Sequence, residues 1–242
     1  MIYAITGAGA GLGKAIADAI RAWDLQATIH RIDRKFGHDV RSPQGLTALT
    51  VDGEVILESV VPVPELSHLD VLINCAAVNN IAWFKDLSEE LWDETLDINA
   101  KGIFRMTKHY LGALTRRGGT VLNIVSNASH MPMRCSLAYN ASKGAAHIMT
   151  LQMARELYST HDITVFGISP NKLSGTEMSD DIDRQVVATR GWSMAEAQAY
   201  QLQGLATKQE TDPAVLAEFI AFLLSSKERH RYLHGCILPY GA

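Results

Sequence analysis

The amino-acid sequence predicts one α/β domain, a doubly wound parallel sheet with helices on both faces. Short apolar runs of strand length alternate along the chain with longer segments of helical period, as in repeated βαβ units. The first strand leads directly into a glycine-rich turn and a helix, which is typical of such sheets. No composition shift, proline-rich linker or internal repeat divides the 242 residues. We therefore expect a single domain spanning 1–242.

Each predicted strand is a short run rich in aliphatic or β-branched residues. In chain order these runs are 2–6, 27–32, a few residues around 38–40, 71–74, 120–125 and 163–168. Helices are predicted between them. Residues 14–23 have an apolar helical face, Ser88 is a good N-cap for the next helix, and an Asp-Pro pair opens a helix over 212–225. Three prolines between 39 and 70 predict that a helix in that interval is short.

The least regular part of the chain is the polar stretch 174–209, which contains three glycines and precedes the last amphipathic helix. Long connections of this kind often cover a site. We therefore expect 174–209 to form a substrate-covering lid, although a disordered surface insertion would have the same composition.

Composition excludes several classes of partner. The chain has 22 Lys and Arg against 26 Asp and Glu, a net charge of −4, so it lacks the basic excess of nucleic-acid-binding proteins. The apolar stretch 214–224 is interrupted by Glu218 and is too short to span a bilayer. The three cysteines are widely spaced and odd in number, and the N-terminus has no secretion signal. These features predict a cytoplasmic protein with no nucleic-acid or membrane partner.

The glycine-rich turn is the first feature that indicates chemistry. Gly7, Gly11 and Gly13 lie between a strand and a helix, where the backbone can turn sharply and approach a pyrophosphate held at the helix N-terminus. An ordinary tight turn is the alternative.

An acidic residue, Asp33, follows Gly13 by 20 positions at the end of the second predicted strand. Such a carboxylate can accept hydrogen bonds from the adenosine ribose hydroxyls and repel a 2′-phosphate, which favours NAD over NADP. Arg31 and Arg34 beside it could instead bind that phosphate, so NADP remains possible.

Tyr139 and Lys143 are four residues apart, which places both on one face of a helix. A nearby ammonium favours the phenolate and lowers a tyrosine pKa from about 10 toward neutrality, as general acid/base catalysis requires. Ser126, at the end of a predicted strand, can bring a hydroxyl to the same pocket.

Together these features resemble the short-chain dehydrogenase/reductase (SDR) family over essentially the whole chain. The matching positions are the turn at 6–13, Asn74, Asn99, Ser126, Tyr139 and Lys143. The resemblance implies a Rossmann-type fold and an NAD(P)-dependent oxidoreductase that transfers a hydride between a nicotinamide and a carbonyl or secondary alcohol. It also implies roles for four catalytic residues. Ser126 would polarise the carbonyl, Tyr139 would transfer the proton, Lys143 would bind the nicotinamide ribose and lower the Tyr139 pKa, and Asn99 would hold a water.

The same resemblance implies a cofactor site. Its residues are Gly7, Gly11, Leu12, Gly13, Asp33, Asp39, Val40, Asn74, Ala76, Tyr139, Lys143, Leu173 and Thr176. Asp39 and Val40 would contact adenine, and Leu173 and Thr176 the nicotinamide amide and the phosphates. The chain departs from the family pattern where it has Cys75 and Ala77, the latter replacing a glycine beside the cofactor, and Thr176 lies one residue later than usual.

Two other functions share parts of this pattern. An epimerase or dehydratase acting on a sugar substrate could use the same Tyr/Lys pair, but such relatives are generally longer. A catalytically silent dinucleotide sensor would need only the cofactor site, so the joint presence of the four catalytic residues argues against it. His230, His234 and Cys236 have metal-like spacing, but no fourth ligand is evident, and we expect no metal.

Two predicted helices are apolar on more than one side, which indicates burial between subunits. They lie within 91–114 and 142–157, and the residues concerned are Ile103, Phe104, Met106, Ile148, Met149, Leu151 and Met153. Relatives of the family pair through the same helices, so a homodimer or homotetramer is expected. Coverage of these faces by the lid or a long loop is the alternative.

Overall fold

The protein is described by a computed structural model that covers residues 1–44, 46–51, 54–59, 61–205 and 207–241. Its strands are β1 (Ile2–Thr6), β2 (Thr28–Ile32), β3 (Leu46–Val51), β4 (Glu54–Ser59), β5 (Val71–Asn74), β6 (Thr120–Ile124), β7 (Thr164–Pro170) and β8 (Ile237–Tyr240). Six of them form one parallel sheet in the order β2-β1-β5-β6-β7-β8. β3 and β4 form a separate antiparallel pair.

The α-helices lie between these strands in the sequence. They are α1 (Gly11–Trp23), α2 (Glu89–Leu96), α3 (Gly102–His109), α4 (Leu111–Thr115), α5 (Leu137–His161), α6 (Glu177–Arg190), α7 (Met194–Gln203), α8 (Pro213–Leu224) and α9 (Lys227–His230). A π-helical turn, Asp97–Lys101, joins α2 to α3. Short 3-10 turns occupy Arg34–Phe36, Phe84–Asp86, Asn127–Ser129 and Arg231–Leu233.

Side chains of the sheet alternate between two apolar cores, as the period of a strand requires. Ile5 and Ile73 face a core shared with α1 and α8, where Ile16 is fully buried. Leu72 faces the opposite core, to which α3 contributes Met106 and α5 contributes Ala154. Helices therefore cover both faces of the parallel sheet, and the predicted doubly wound α/β fold is confirmed.

The strand order places the functional site. The chain runs from β1 outward to β2 and then returns to the other side of β1 with β5. Where the order reverses in this way, the loops after neighbouring strands separate and leave a crevice at their carboxyl ends. The glycine-rich turn follows β1 at this edge, the Cys75–Ala77 segment follows β5, and Ser126 follows β6.

Two local predictions are wrong. The expected strand around 38–40 is absent from the described residues. The chain instead leaves β2 through the 3-10 turn Arg34–Phe36, which Asp33 caps by accepting a hydrogen bond from the Lys35 amide. The expected short helix between 39 and 70 is replaced by the antiparallel pair β3 and β4. The edge strand β8 was not predicted, because its four residues include a proline and have no clear alternation.

Within the described ranges, no helix is both long and apolar enough to cross a bilayer.

Candidate active site

A cavity of about 890 Å³ lies at the carboxyl edge of the sheet. All but two of the predicted site residues line it. They are Gly7, Gly11, Leu12, Gly13, Asp33, Asp39, Val40, Ala76, Ser126, Tyr139, Lys143, Leu173 and Thr176. The fold therefore brings together side chains from both halves of the chain, as predicted. Asn74 and Asn99 lie outside the lining.

The glycine-rich turn packs directly on the loop after β5. Gly7 has a φ of +70°, and a Cβ there would lie 2.8 Å from the Ala76 Cα. A Cβ on Gly13 would overlap the carbonyl oxygen of Gly7. The Thr6 hydroxyl accepts hydrogen bonds from the Cys75 and Ala76 amides, each at 3.0 Å. The absence of side chains thus lets the turn pack closely on the loop after β5 and on the start of α1, the setting in which a helix N-terminus binds a pyrophosphate.

Asp33 lies at the end of β2, where it faces the cavity. One carboxylate oxygen accepts a hydrogen bond from the Gly9 amide at 3.0 Å, and the other accepts from the Lys35 amide at 2.9 Å. A Cβ on Gly9 would lie 2.7 Å from the carboxylate. These contacts fix the carboxylate beside the glycine-rich turn.

The two arginines near Asp33 are engaged with other carboxylates. Arg31 forms an ion pair with Asp18 of α1, and it does not line the cavity. Arg34 does line the cavity, and its guanidinium lies 4.0 Å from Glu94 of α2. Both arginines thus have acidic partners, which weakens the alternative that they bind a 2′-phosphate.

Asp39 also has a partner of its own. Its carboxylate is buried and accepts hydrogen bonds from the Arg41 amide at 2.8 Å and from the Arg41 Nε at 2.9 Å. Burial opposes ionisation of Asp39, but the hydrogen bonds and charge of Arg41 outweigh it and hold the pKa below its ordinary value. Val40 beside it packs against Gly102 at the start of α3, where a Cβ would lie 3.1 Å from the valine methyl.

Tyr139 and Ser126 face each other across the cavity floor. Tyr139 lies in the first turn of α5, and Ser126 follows β6 and forms a hydrogen bond with its phenol. The Asn140 Nδ2 donates to the carbonyls of Ala128 at 2.6 Å and Met131 at 2.8 Å. Because Asn140 belongs to α5, these bonds hold the turn after Ser126 against the helix that carries Tyr139.

Lys143 lies one helical turn beyond Tyr139. Its side chain is buried, the Nζ donates to the Ile124 carbonyl at 3.0 Å, and it lies 5.9 Å from the centroid of the Tyr139 ring. The ammonium is therefore held at the end of β6, next to both proposed proton-transfer groups. The i, i+4 spacing has produced the predicted juxtaposition.

Burial dominates the proton affinities of this pair. Burial raises the pKa of Tyr139, its hydrogen bond with Ser126 lowers it, and the net direction is upward. Burial lowers the pKa of Lys143 to about 8. The net direction is thus opposite to the lowering of the Tyr139 pKa that the resemblance implied for Lys143. Both groups occupy a desolvated pocket that favours their neutral forms.

Asn99 is buried in the π-helical turn between α2 and α3. Its Oδ1 accepts from the Val78 amide at 2.8 Å, and its Nδ2 donates to the Val78 carbonyl at 2.8 Å and to the Ser142 hydroxyl at 2.9 Å. The side chain thus joins the loop after β5 to α5 one residue before Lys143. Insertions of this helical type often occur at functional sites.

Asn74 lies in a buried polar network outside the cavity. Its Nδ2 donates to the Asn123 Oδ1 of the neighbouring strand at 2.9 Å and contacts the Thr107 hydroxyl of α3 at 3.3 Å. Asn123 in turn donates to Thr150 of α5 at 3.0 Å. The resemblance implied cofactor contact for Asn74, whereas the structure directs its side chain between the sheet and the helices.

Thr176 is the N-cap of α6, and its hydroxyl accepts from the Ser179 amide at 3.1 Å. A Cβ on Gly11 would lie 3.8 Å from the Thr176 side chain, so the start of α6 faces the glycine-rich turn. Leu173, which also lines the cavity, forms an isolated bridge with Thr211. The segment around 173–176 thus reaches the side of the cavity where the glycine-rich turn lies.

Hydrogen bonds that the sequence did not reveal hold α6 over the cavity. The Gln185 Oε1 accepts from the Ile81 amide at 2.7 Å, and its Nε2 donates to the Asn79 carbonyl at 3.2 Å. The Trp83 Nε1 donates to the Thr189 carbonyl at 3.1 Å. A lone glutamine in an amphipathic helix carries no sequence signal for such a role, because its partners are backbone groups of a distant loop.

Ion pairs also hold the 174–209 segment in place. The Lys172 Nζ lies 2.6 Å from Asp183 of α6 and 2.9 Å from Glu210, and all three side chains are largely buried. At the start of α6, Glu177 lies 3.2 Å from Lys35, which belongs to the loop after β2. The polar stretch thus contacts both sides of the cavity.

Of the three residues with metal-like spacing near the C-terminus, the two histidines form hydrogen bonds within the fold. The His230 Nε2 lies 2.9 Å from the Thr120 hydroxyl, and its Nδ1 lies 3.1 Å from the Leu223 carbonyl. The His234 Nδ1 accepts from the Val165 amide at 3.2 Å. In the part of the chain that the structure describes, no group of three or more His, Cys, Asp or Glu residues is placed to hold a metal ion.

Comparisons with known proteins agree with this geometry. The family model described as short chain dehydrogenase matches residues 2–186. A 2-(S)-hydroxypropyl-CoM dehydrogenase 3 from Xanthobacter autotrophicus is 29% identical, over 93% of this chain and 90% of that protein. An NAD-dependent glycerol dehydrogenase from Listeria innocua is 33% identical, over 70% of this chain and 69% of its own length.

Solved structures share the fold. That of a putative 2-deoxy-D-gluconate 3-dehydrogenase from Agrobacterium tumefaciens with bound NADP superimposes with a TM-score of 0.74 at 24% identity, covering 98% of this chain and 93% of that one. Aldohexose dehydrogenase of Thermoplasma acidophilum gives 0.73 at 19% identity, covering 98% and 91%. The chain belongs to the short-chain dehydrogenase family and is an NAD(P)-dependent oxidoreductase of alcohol and carbonyl groups.

Proposed function

We propose that Ser126, Tyr139 and Lys143 carry the proton chemistry of this oxidoreductase, and that the glycine-rich turn and Asp33 hold its cofactor. The observation that supports the proposal most directly is the shared cavity. The serine hydroxyl, the phenol and the ammonium lie on one side of it, and the glycine-rich turn lies on another. When bound, the nicotinamide supplies or accepts the hydride.

In carbonyl reduction, the hydride adds two electrons to the carbonyl carbon and the oxygen takes one proton. Tyr139 donates that proton, and the Ser126 hydroxyl donates a hydrogen bond that polarises the carbonyl. The raised pKa of Tyr139 keeps the phenol protonated and ready to donate. In the reverse direction the alcohol returns its proton to the phenolate.

Lys143 and Asn99 complete the proposed catalytic set. The ammonium of Lys143 can donate to the nicotinamide ribose and stabilise the phenolate that forms when Tyr139 gives up its proton. Because its pKa is about 8, Lys143 can also return a proton to that phenolate near neutral pH. The Asn99 side chain is occupied by Val78 and Ser142, so its contribution to a water relay would come from the backbone of its π-helical turn.

We propose NAD as the preferred cofactor. The Asp33 carboxylate is fixed beside the glycine-rich turn, where it would accept the ribose hydroxyls and repel a 2′-phosphate. The engagement of Arg31 with Asp18 and of Arg34 with Glu94 supports this preference. Among the proteins compared, the glycerol dehydrogenase is named as NAD-dependent, whereas the structure of the 2-deoxy-D-gluconate 3-dehydrogenase contains NADP.

We also propose that 1–242 is one NAD(P)-binding domain and that 174–209 is its lid. The contacts of Gln185 with the loop after β5, and of Lys172 with Asp183, support the second point. Closure of such a segment excludes water from the hydride-transfer site. The chain would thus bind and release substrate by moving α6 and α7.

A homodimer or homotetramer and a cytoplasmic location complete the proposal. Phe104 of α3 is 51% exposed and Ile148 of α5 is 61% exposed, so two large apolar side chains point outward from the predicted pairing helices. The three cysteines, Cys75, Cys135 and Cys236, are all free, as a reducing compartment favours.

Turnover of small carbonyl compounds tests the enzymatic proposal. The purified chain is incubated with NADH or NADPH, deuterated at the transferring carbon, and a panel of ketones. We expect oxidised cofactor and a secondary alcohol carrying deuterium on the former carbonyl carbon. Cofactor binding without turnover of any ketone or alcohol would instead support the dinucleotide-sensing alternative. Conversion with no net cofactor oxidation would support an epimerase or dehydratase.

A further inference from the structure

Arg190, the last residue of α6, lines the cavity without an anionic partner. Its guanidinium carbon lies 4.8 Å from the ring centroids of both Trp192 and Tyr200. Its Nη2 donates to the Arg134 carbonyl at 2.7 Å. The Nε and Nη1 atoms are buried and have no hydrogen-bond partner, and Arg190 forms no ion pair with any described residue.

Two other charged side chains that line the cavity, Glu177 of the lid and Lys172 just before it, are paired. Glu177 lies 3.2 Å from Lys35, and Lys172 lies 2.6 Å from Asp183. Buried N–H groups almost always have an acceptor, and a guanidinium carries its positive charge at any physiological pH. The unused donors of Arg190 therefore point to an acceptor that none of the described residues supplies.

The position of Arg190 separates it from the proposed cofactor phosphates. α6 begins next to Thr176, which faces Gly11 of the glycine-rich turn. α6 has 14 residues and is about 20 Å long, so Arg190 lies at the end of the helix that is far from Thr176. There it contacts Arg134, in the loop that leads to Tyr139. Arg190 thus lies on the substrate side of the cavity.

Apolar side chains form much of the cavity wall. They include Ile81, Met131, Met133, Ile182, Val186 and Leu205. Tyr200 packs on the guanidinium, also lines the cavity and is 41% exposed, so the Arg190 side chain lies next to a partly exposed ring at the cavity wall. A largely apolar wall next to a cation that has no anionic partner suits an amphipathic molecule with a terminal anion.

We propose that Arg190 binds a carboxylate of the substrate, and that the preferred substrates are oxo acids or hydroxy acids with an apolar body between the carboxylate and the reacting carbon. The proposal rests on the assignment of Tyr139 and Ser126 as the reacting end of the cavity. Arg190 is then a specificity-determining residue, because its hydrogen bonds to the carboxylate are lost with a neutral analogue.

A matched pair of ligands tests the proposal by binding alone. 4-Acetylbenzoate and its methyl ester share the ketone and the ring and differ in charge. Their dissociation constants are measured calorimetrically on the protein saturated with oxidised cofactor, in which neither ketone can be reduced. The variants are Arg190→Gln, Arg190→Lys and the control Arg184→Gln, an exposed arginine of the same helix that pairs with Asp181 and does not line the cavity.

We expect the acid to bind about tenfold or more tightly than the ester to the wild type and to Arg184→Gln. Arg190→Gln should remove this preference and leave ester affinity within about twofold, and Arg190→Lys should restore part of it. Equal affinities in the wild type, no measurable binding of the acid, or a preference that survives Arg190→Gln would overturn the proposal. If Arg190→Gln weakened the binding of both ligands equally, the proposal would also be overturned. Arg190 would then be a structural residue that joins α6 to α7.

The same samples separate this inference from the proposed function. Turnover of 4-acetylbenzoate with reduced cofactor is measured alongside binding. A clear acid preference in binding with no reduction of any ketone would count against the proposed reaction, while the anion site would stand. Reduction of the ester and the acid with equal kcat/KM would leave the reaction intact and refute the anion site.

Discussion

The Nζ of Lys143 lies 5.9 Å from the ring centroid of Tyr139, one turn along the same helix. Burial shifts the two pKa values in opposite directions, upward for the phenol and downward for the ammonium. Both shifts favour a neutral acid next to an amine that titrates near physiological pH. This arrangement suits a phenol that donates a proton first and is stabilised as phenolate by an ammonium only afterwards.

Replacing the phenol tests its assignment as proton donor. Tyr139→Phe keeps the ring and removes the transferable proton, so we expect kcat to fall by about 100-fold or more. The dissociation constant of the dinucleotide should change by less than about twofold. Tyr158→Phe, at an exposed position of the same helix, should behave as the wild type. Turnover of Tyr139→Phe at the wild-type rate would refute the assignment.

The pH dependence of carbonyl reduction should report Lys143. Its pKa, lowered to about 8, means that the ammonium is present below pH 8 and is lost as the pH rises through that value. The Tyr139 phenol, whose pKa is raised, remains protonated over the same range. We therefore expect kcat/KM for reduction to fall with an apparent pKa near 8. The residual activity of Lys143→Arg should lack this decline, because arginine does not deprotonate in this range.

Cofactor preference should depend on Asp33. The wild type is expected to bind NAD more tightly than NADP, because the fixed carboxylate repels a 2′-phosphate. Asp33→Asn removes the charge at constant size, and we expect the ratio of the two dissociation constants to shift toward NADP by about tenfold. Asp24→Asn, outside the cavity, is the control. Tighter binding of NADP to the wild type would show that an arginine faces the ribose instead.

The outward-facing apolar side chains of α3 and α5 predict self-association. Light scattering at micromolar concentration should give a multiple of the 26.5 kDa chain mass. Ile148→Lys places a charge at a 61% exposed position of α5 and should shift the population toward monomer. Leu25→Lys, a 77% exposed leucine beyond α1, should leave it unchanged. A wild-type mass near that of one chain would contradict the prediction.

Local sequence patterns were sufficient to predict much of the site. The glycine spacing at Gly7, Gly11 and Gly13 predicts a sharp turn with close backbone packing, and in the structure a Cβ at Gly7 or Gly13 would meet other backbone atoms. The spacing of Tyr139 and Lys143 predicts their contact because residues four apart share a helical face. Parallel strands bring their carboxyl ends to one edge, so motifs far apart in sequence were expected to meet there.

Other expectations concerned side chains whose hydrogen-bond partners cannot be read from the periodicity of the sequence. Asp39 lines the cavity and its contact with adenine stays a prediction, but periodicity did not show that its carboxylate accepts hydrogen bonds from Arg41. Asn74 was expected at the cofactor, but its amide donates to Asn123 in the neighbouring strand. A polar side chain at a strand end can face the cavity or the interior, and only the packing of neighbouring elements decides between these orientations.

The sequence by itself determined the fold class, the position of the site at one edge of the sheet, and the residue types that carry out the chemistry. These follow from interactions short in sequence, namely strand and helix periodicity, turn geometry and helical spacing. Tertiary structure decided the docking of α6 through Gln185, the unpartnered donors of Arg190 and the upward shift of the Tyr139 pKa. Each of these depends on burial and on contacts between residues distant in the chain, which no local pattern encodes.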